Sequence, residues 1–446
     1  MSLNLSATKA TSIKLFNFTV PAMRAFHMSW LAFFACFFAW FACAPLMPVI
    51  AGEFHLTKDQ IANISIAAVA VTIVVRLVVG PLCDKYGPRK AYITLLLVGS
   101  IPVIGITAVR SYESFLFFRF LIGAIGASFV ITQYHTSVMF APNVVGTANA
   151  TAVGWGNAGG GTTQAVMPLI LSAIVMFGVE QSMGWRIALL MPGVMMLVVA
   201  FMYWKFTQDC PQGNFDELRA QGIATDSGKK GGWAVMKQAA GNYRVWILFG
   251  TYGACFGVEI FMHNILAMYY VEKFHFGLKE AGLTAGILGL LAIFARSLGG
   301  FLSDKVAIKK GLDGRTKLLF VMILGEGLFL ILFSQMNVAH LAIMSMVVFA
   351  LFINMACGAT YAMVPFIDRE ALGGVSGIIG AGGNAGAVVA GFLLKGMTDI
   401  QSCLMALGGF VIVAGCFVML IRFSVEHKAK EQRLFEQAIL DRNNAA

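Results

Sequence analysis

Two arginines stand in the middle of apolar stretches, and each is followed eight residues later by an aspartate: Arg76 before Asp84, and Arg296 before Asp304. If each aspartate marks the aqueous end of a helix, eight residues at 1.5 Å each put the arginine about 12 Å deep, near the middle of a hydrocarbon core roughly 30 Å thick. A central arginine opposes membrane insertion by about 2.5–3.5 kcal/mol. For either arginine alone, a structural pair with a carboxylate is a sufficient reading. Two at matching places in a repeated sequence point at one central cavity. Paired planar, permanently charged guanidinium groups there make an anion site.

A second chemical face lies in "ILFGTYGACFGVEIFMHNILAMYY", residues 247–270. Tyr252, Phe256, Glu259 and His263 fall at i, i+4, i+7 and i+11, on one helical face about 60° wide. An aromatic stripe is ordinarily packing. Here the face also carries two ionisable groups that lipid would not tolerate, so it should turn inward. Glu259 is the carboxylate placed to carry a proton, with His263 as its relay partner. Glu326, in "LGEGLF" at 324–329, competes for that role, with a structural or lipid-facing protonated group as the expectation. His135 reads as a packing histidine.

Two further motifs repeat: "GWGNAGGG" at 154–161 and "GAGGNAGA" at 380–387. Small residues let helix backbones approach closely. Gly156, Gly159 and Gly383 serve that purpose, and they leave room for a small anion beside bare backbone. Asn157 and Asn384 supply amide donors, either to a ligand or to loosened backbone. Helix packing alone is the competing explanation.

The elements that must position these residues follow from composition. The chain of 446 residues is 58% hydrophobic and 12% charged, about half the charge of a soluble protein, so it reads as an all-α, polytopic membrane protein. Nothing resembles a cleaved signal peptide, because the first apolar run is long enough to span. Twelve spans are expected near 28–50, 58–82, 90–109, 112–140, 146–175, 184–206, 244–270, 281–303, 316–334, 339–365, 372–397 and 402–423. The hydrophilic stretch 207–243 divides them six and six. The expected domains are a six-helix bundle over 1–206, a cytoplasmic linker over 207–243, a second six-helix bundle over 244–423 and a cytoplasmic tail over 424–446. "RLVVGPLCDK" (76–85) aligns with "RSLGGFLSDK" (296–305), so the bundles are pseudo-symmetric, an arrangement that puts a substrate site at their interface.

Charge placement sets the orientation. With the N-terminus cytoplasmic, 23 of the 32 Lys and Arg residues face the cytoplasm, and Lys58, Arg110, Arg119, Arg186, Lys273, Lys279 and Lys395 face outside. Both termini are then cytoplasmic, and the net charge of +10 needs no nucleic acid. The eight cysteines form no CxxC pair and no Cys/His cluster, so they read as packing residues, and no metal or cofactor is expected.

With these residues in place, "GPLCDKYGPRK" (80–90) resembles the loop 2–3 motif of the major facilitator superfamily. The two asparagine motifs resemble the paired signatures of its nitrate/nitrite porter family, and "FHMSWLAFFACFFAWFACAPLMPVI" (26–50) resembles that family's first helix. The similarity covers essentially the whole chain. It implies the major facilitator fold and transport of nitrate, with nitrite, by alternating access across a bacterial inner membrane.

In that resemblance Arg76 and Arg296 match the substrate-binding arginines. Tyr252, Phe256 and Phe129 match residues that flank the substrate, and Gln133 lies one turn beyond Phe129. Flat monovalent anions suit two guanidinium forks with aromatic faces above and below. A glutamate occurs at the position of Glu259 in proton-coupled members, whereas His263 replaces an acidic residue common in the plant proteins. Asp84, Arg89 and Asp304 belong to cytoplasmic contacts that stabilise one state.

An interior-negative potential opposes import of an anion by about 2.3 kcal/mol per 100 mV, so import needs protons or exchange for an internal anion. The implied partners are nitrate or nitrite, protons and the lipid bilayer, with the carrier a monomer. Proton symport is the first expectation and nitrate/nitrite antiport the alternative. A carrier for another small anion and an anion channel stand behind them. An enzyme is not expected, since no nucleophile triad or phosphate loop is present; "GNAGGG" follows no strand.

Overall fold

The computed structural model describes residues 9–141, 144–222, 232–368, 371–429 and 431. Among these residues the regular structure is helical, with only two isolated β-bridges. The first six membrane-length helices are α1 (Pro21–Phe54), α2 (Lys58–Tyr86), α3 (Pro88–Ala108), α4 (Tyr112–Met139), α5 (Val145–Met176) and α6 (Gln181–Phe206). After two short helices, Phe215–Ala220 and Gly232–Ala240, comes α7 (Tyr243–Phe274).

Leu278–Gln335 then runs as one helical stretch of 58 residues, too long for one crossing. Gly311, at φ 57° and ψ −149°, breaks it into α8 (278–310) and α9 (312–335). The last three are α10 (Ala339–Phe366), α11 (Leu372–Gly396) and α12 (Ile400–Val418). The described residues therefore hold twelve crossing helices.

Local chemistry sets the helix ends. Thr57 and Gln60 form a reciprocal cap on α2, with Gln60 N–H donating to Thr57 Oγ1 at 3.3 Å and Thr57 N–H to Gln60 Oε1 at 2.9 Å. Asp399 caps α12 by accepting from Ser402 N–H at 2.8 Å. His55 and His275 take the left-handed conformation at matching points, closing α1 and α7.

Each repeat turns its arginine inward against an apolar outer face. On α2, Val74, Leu77 and Val78 are exposed while Arg76 is 8% exposed. On α8, Ile293, Phe294 and Leu298 are exposed while Arg296 is also 8% exposed. This is the surface of a helix with lipid on one side and protein on the other. Arg119 corrects the expectation from charge counting: it lies within α4 and is 2% exposed, rather than at the outer surface.

Two seams join the first six helices to the last six. On α5, a Cβ at Gly161 would come within 2.5 Å of Leu290 N and 2.8 Å of Gly286 O, so α5 and α8 touch backbone to backbone. On the other seam, a Cβ at Gly391 of α11 would come within 2.5 Å of Ile66 on α2.

The turn between α2 and α3 depends on Gly87, at φ 86° and ψ 150°, a conformation essentially confined to glycine. A Cβ there would collide with the Asp209 carboxylate, which accepts from Arg89 N–H at 2.9 Å and Phe215 N–H at 3.0 Å. Burial pushes the Asp209 carboxyl above the ordinary aspartate range, against those bonds and the nearby Arg89 charge. Gly87→Ala should cost of order 1–3 kcal/mol in backbone strain alone, besides displacing Asp209. We expect its unfolding midpoint in detergent to fall by several degrees; an unchanged midpoint would show that the turn can relax.

Candidate functional site

Arg76 reaches from α2 across the seam to α11. Its Nη1 donates to the carbonyl of Gly380 at 3.0 Å, and its Nη2 to that of Gly126 on α4 at 3.2 Å. Gly126 lies in a 3₁₀ segment, Gly123–Ala127, that also presents the Gly123 carbonyl to Thr72 at 2.6 Å. Gly380 is the first residue of the second glycine motif. The Arg76 guanidinium sits 5.3 Å from the centroid of the Phe129 ring, while its Nε has no partner.

Arg296 reaches the other way. With the Asn157 amide turned so that its oxygen faces the guanidinium, Asn157 Oδ1 accepts from Nη1 at 2.7 Å, Nη2 at 2.9 Å and Nε at 3.2 Å. Each arginine is thereby tied to the glycine motif of the opposite half. Arg296 Nη2 also donates to Glu259 Oε2 at 2.5 Å, Nε lies 3.4 Å from Asn354 Oδ1, and the guanidinium sits 5.1 Å from the Phe256 ring.

A chain of aromatic rings joins the two cations. Phe129 meets Tyr361 edge-on at 6.1 Å, Tyr361 meets Tyr252 at 4.9 Å, and Tyr252 stacks on Phe256 at 5.0 Å. Tyr361, on α10, was missed in the sequence. Its signal is the polar spacing Asn354, Cys357, Tyr361, which puts three such residues on one face of α10. The Tyr361 hydroxyl is buried without a partner, and so are both amide atoms of Asn384.

The structure brings together Arg76, Arg296, Phe129, Tyr252, Phe256, Asn157 and Glu259. The remaining residues fall differently. Asn157 turns its amide oxygen to Arg296, because a guanidinium has donors only, and this leaves the amide nitrogen as its donor side. Gly156 is closed over by the Phe33 ring, and Gly383 by the rings of Phe256 and Tyr252, so both make packing contacts; Gly159 packs on the Phe34 carbonyl. Gln133 is half-buried, one turn past Phe129.

His263 lies in the α5–α8 seam with its ring 4.9 Å from that of Phe41 and close to Gly289. No hydrogen bond joins it to Glu259 among the described residues, and its Nδ1 has no partner. Glu326 is fully buried with neither carboxyl oxygen partnered, which corrects the lipid-facing expectation. His135 holds α4 to the end of α6 through Tyr203 Oη at 2.5 Å and the Gln208 carbonyl at 2.8 Å.

Of the expected gating residues, Arg89 bonds to the end of α6 and the segment after it, and Asp304 bonds across the Gly311 break. Arg89 binds Asn214 Oδ1 at 3.4 Å and the Trp204 carbonyl, and Asp304 pairs with Arg315 at 2.7 Å. The side chain of Asp84 lies outside the described residues.

The sequence profile of the Major Facilitator Superfamily matches residues 29–367. High affinity nitrate transporter 2.5 of Arabidopsis thaliana is 40% identical over 410 residues, covering 91% of this chain and 80% of the relative. The nitrate/nitrite transporter NrtP of Nostoc punctiforme is 26% identical, covering 95% and 96% respectively. Among solved structures, a D-xylose-proton symporter aligns with a TM-score of 0.67 at 13% identity, covering 92% of this chain and 99% of the other, a likeness of fold alone. This chain belongs to the Major Facilitator Superfamily and, within it, to the nitrate/nitrite porter family.

Proposed function

We propose that this protein is a secondary active transporter that imports nitrate, and nitrite with it, by alternating access coupled to protons. The observation that carries the reading is the pair of buried guanidinium groups, each tied to the glycine motif of the opposite half and joined by aromatic rings. The relatives named as nitrate and nitrite transporters share this sequence over most of its length. A flat anion between the two forks would take N–H groups now held by carbonyl, amide and carboxylate oxygens. Tyr361 and Asn384 have unused hydrogen-bonding capacity for it.

In this reading the bundles 1–206 and 244–423 rock about the α2–α11 and α5–α8 seams, with 207–243 and 424–446 as cytoplasmic linker and tail. The positive-inside bias supports cytoplasmic termini, and in this reading the carrier works as a monomer in a bacterial inner membrane. Arg89 and Asp304 fasten the cytoplasmic ends within each bundle. Glu259, bound to Arg296, carries the proton.

The test is uptake of labelled nitrate by purified protein in liposomes, with pH gradient and voltage imposed separately. Accumulation driven by an inward proton gradient supports the reading. Uptake that needs internal nitrite and ignores the pH gradient replaces symport by exchange. Large unitary currents would replace the carrier by a channel, and uptake of monocarboxylates in preference to nitrate would change the substrate.

A further inference from the structure

A third buried arginine has no role in the central site. Arg119 donates from Nη1 to the Trp40 carbonyl at 2.8 Å and from Nη2 to Asn264 Oδ1 at 3.0 Å, and its Nε has no partner. Cys43 lies beside it. Among the described residues no carboxylate lies within ion-pair distance of it. A guanidinium buried in a membrane helix without a counter-charge is costly to keep, and neutral acceptors offset only part of that cost.

Its position gives the cost a use. Arg119 precedes Gly126, which holds Arg76, by seven residues on α4, so it lies roughly 10 Å further towards the α7–α8 end. Charge bias assigns that end to the outside. Asn264 stands five residues beyond Glu259 on α7, in the opposite half, and its own Nδ2 is anchored on the Ile260 carbonyl at 2.9 Å. The Arg119–Asn264 bond therefore crosses between halves on the outer side of the site. Gln164 Nε2, bonding the His263 carbonyl at 2.5 Å, crosses nearby. Opening this side must break the bond and expose a cation that has lost an acceptor.

We propose that Arg119 is a receiving position for small monovalent oxoanions on the outer path. When α4 and α7 part, an anion oxygen replaces Asn264 Oδ1 on the guanidinium before the anion moves inward to Arg76 and Arg296. The proposal rests on the anion-carrier reading above and adds a position outside the central site.

The test places a thiol at the bond. Asn264→Cys carriers in right-side-out vesicles are treated with methanethiosulfonates of opposite charge, the unsubstituted protein serving as blank. The anionic reagent should react about tenfold faster than the cationic one, the scale of a local electrostatic field. Millimolar nitrate should slow it, and Arg119→Gln in the same background should remove the preference. Equal rates for both reagents, a preference that survives Arg119→Gln, or no reaction from outside would overturn the proposal.

If Asn264→Cys does not reach the membrane, Arg119→Gln alone suffices. Uptake at low nitrate should fall about tenfold while nitrate binding to detergent-solubilised protein stays within twofold. Unchanged uptake, or equal loss of both, overturns the proposal. Should nitrite protect the thiol where nitrate does not, the receiving position stands and the nitrate reading falls.

Discussion

Arg76→Lys and Arg296→Lys should each nearly abolish nitrate binding while the protein still reaches the membrane. Lysine keeps the charge, so loss of binding would isolate the fork geometry. Arg76 serves Gly380 and Gly126 with its two Nη atoms, and Arg296 serves Glu259 and Asn157. A compact ammonium can satisfy one or two of those acceptors, but it cannot present a planar pair to a flat anion. Losing one partner of a buried, charge-assisted contact costs about 2–3 kcal/mol or more, roughly 30- to 150-fold in affinity.

The Arg296 variant should be the worse. Its ammonium will be drawn to the Glu259 carboxylate, leaving less for the anion. Binding measured calorimetrically in detergent, beside the unfolding midpoint, separates a damaged site from a damaged fold. Near-normal affinity in both variants would sink the two-arginine site.

Much of that site was legible because depth and repetition are written in sequence. The interval from Arg76 to Asp84 matches that from Arg296 to Asp304, and an inward charge between exposed valines, leucines and phenylalanines has one stable orientation. The partners were not legible. Repeats show which positions are equivalent, but not that Arg76 would reach Gly380 and Arg296 would reach Asn157 across the seams. The motifs share an asparagine, yet the Asn157 oxygen accepts from Arg296 while Asn384 has neither amide atom bonded.

Backbone irregularity hid more. Gly253–Gly257 forms a π segment in the middle of α7, between Tyr252 and Glu259, where a regular helix was assumed. A Cβ on Gly257 would meet the Gly383 carbonyl at 2.7 Å, so this segment packs backbone to backbone on α11. The wider turn shifts Glu259 and His263 together relative to Tyr252, and both then lie one turn apart on the regular stretch Val258–Phe274. Glu259 meets Arg296, whereas His263 falls in the α5–α8 seam. Arg119 was misplaced for a simpler reason. Counting basic residues by loop assigns a side to each charge and has no category for one buried between halves.

The proposed coupling rests on Glu259, and Glu259→Gln is the variant that tests it. Its carboxylate lies 2.5 Å from Arg296 Nη2, with Cys357 Sγ at 3.7 Å, and it is 2% exposed. An anion that takes the N–H groups of Arg296 competes with this carboxylate for the same cation. A carboxylate released from its cation in a dry interior is strongly disfavoured as an ion, and taking up a proton removes the charge. Nitrate and proton should therefore bind together and leave together. In the proposed cycle, departure of the anion inward should let Arg296 recover Glu259 and expel the proton.

Glutamine imitates the protonated state permanently. Glu259→Gln should keep nitrate binding, even tighten it through loss of a competitor, and retain nitrate/nitrite exchange. It should lose accumulation driven by an inward pH gradient, because no group is left to release a proton at each cycle. In liposomes at imposed pH gradients, wild-type uptake should rise with external acidity while that of the variant stays flat. If wild-type flux ignores the gradient and follows internal nitrite, the Glu259–Arg296 pair is a structural clamp in an exchanger. If Glu259→Gln keeps full pH-driven accumulation, the proton takes another route. Glu326, buried behind the site with both carboxyl oxygens unpartnered, would be the next residue to test, ahead of His263.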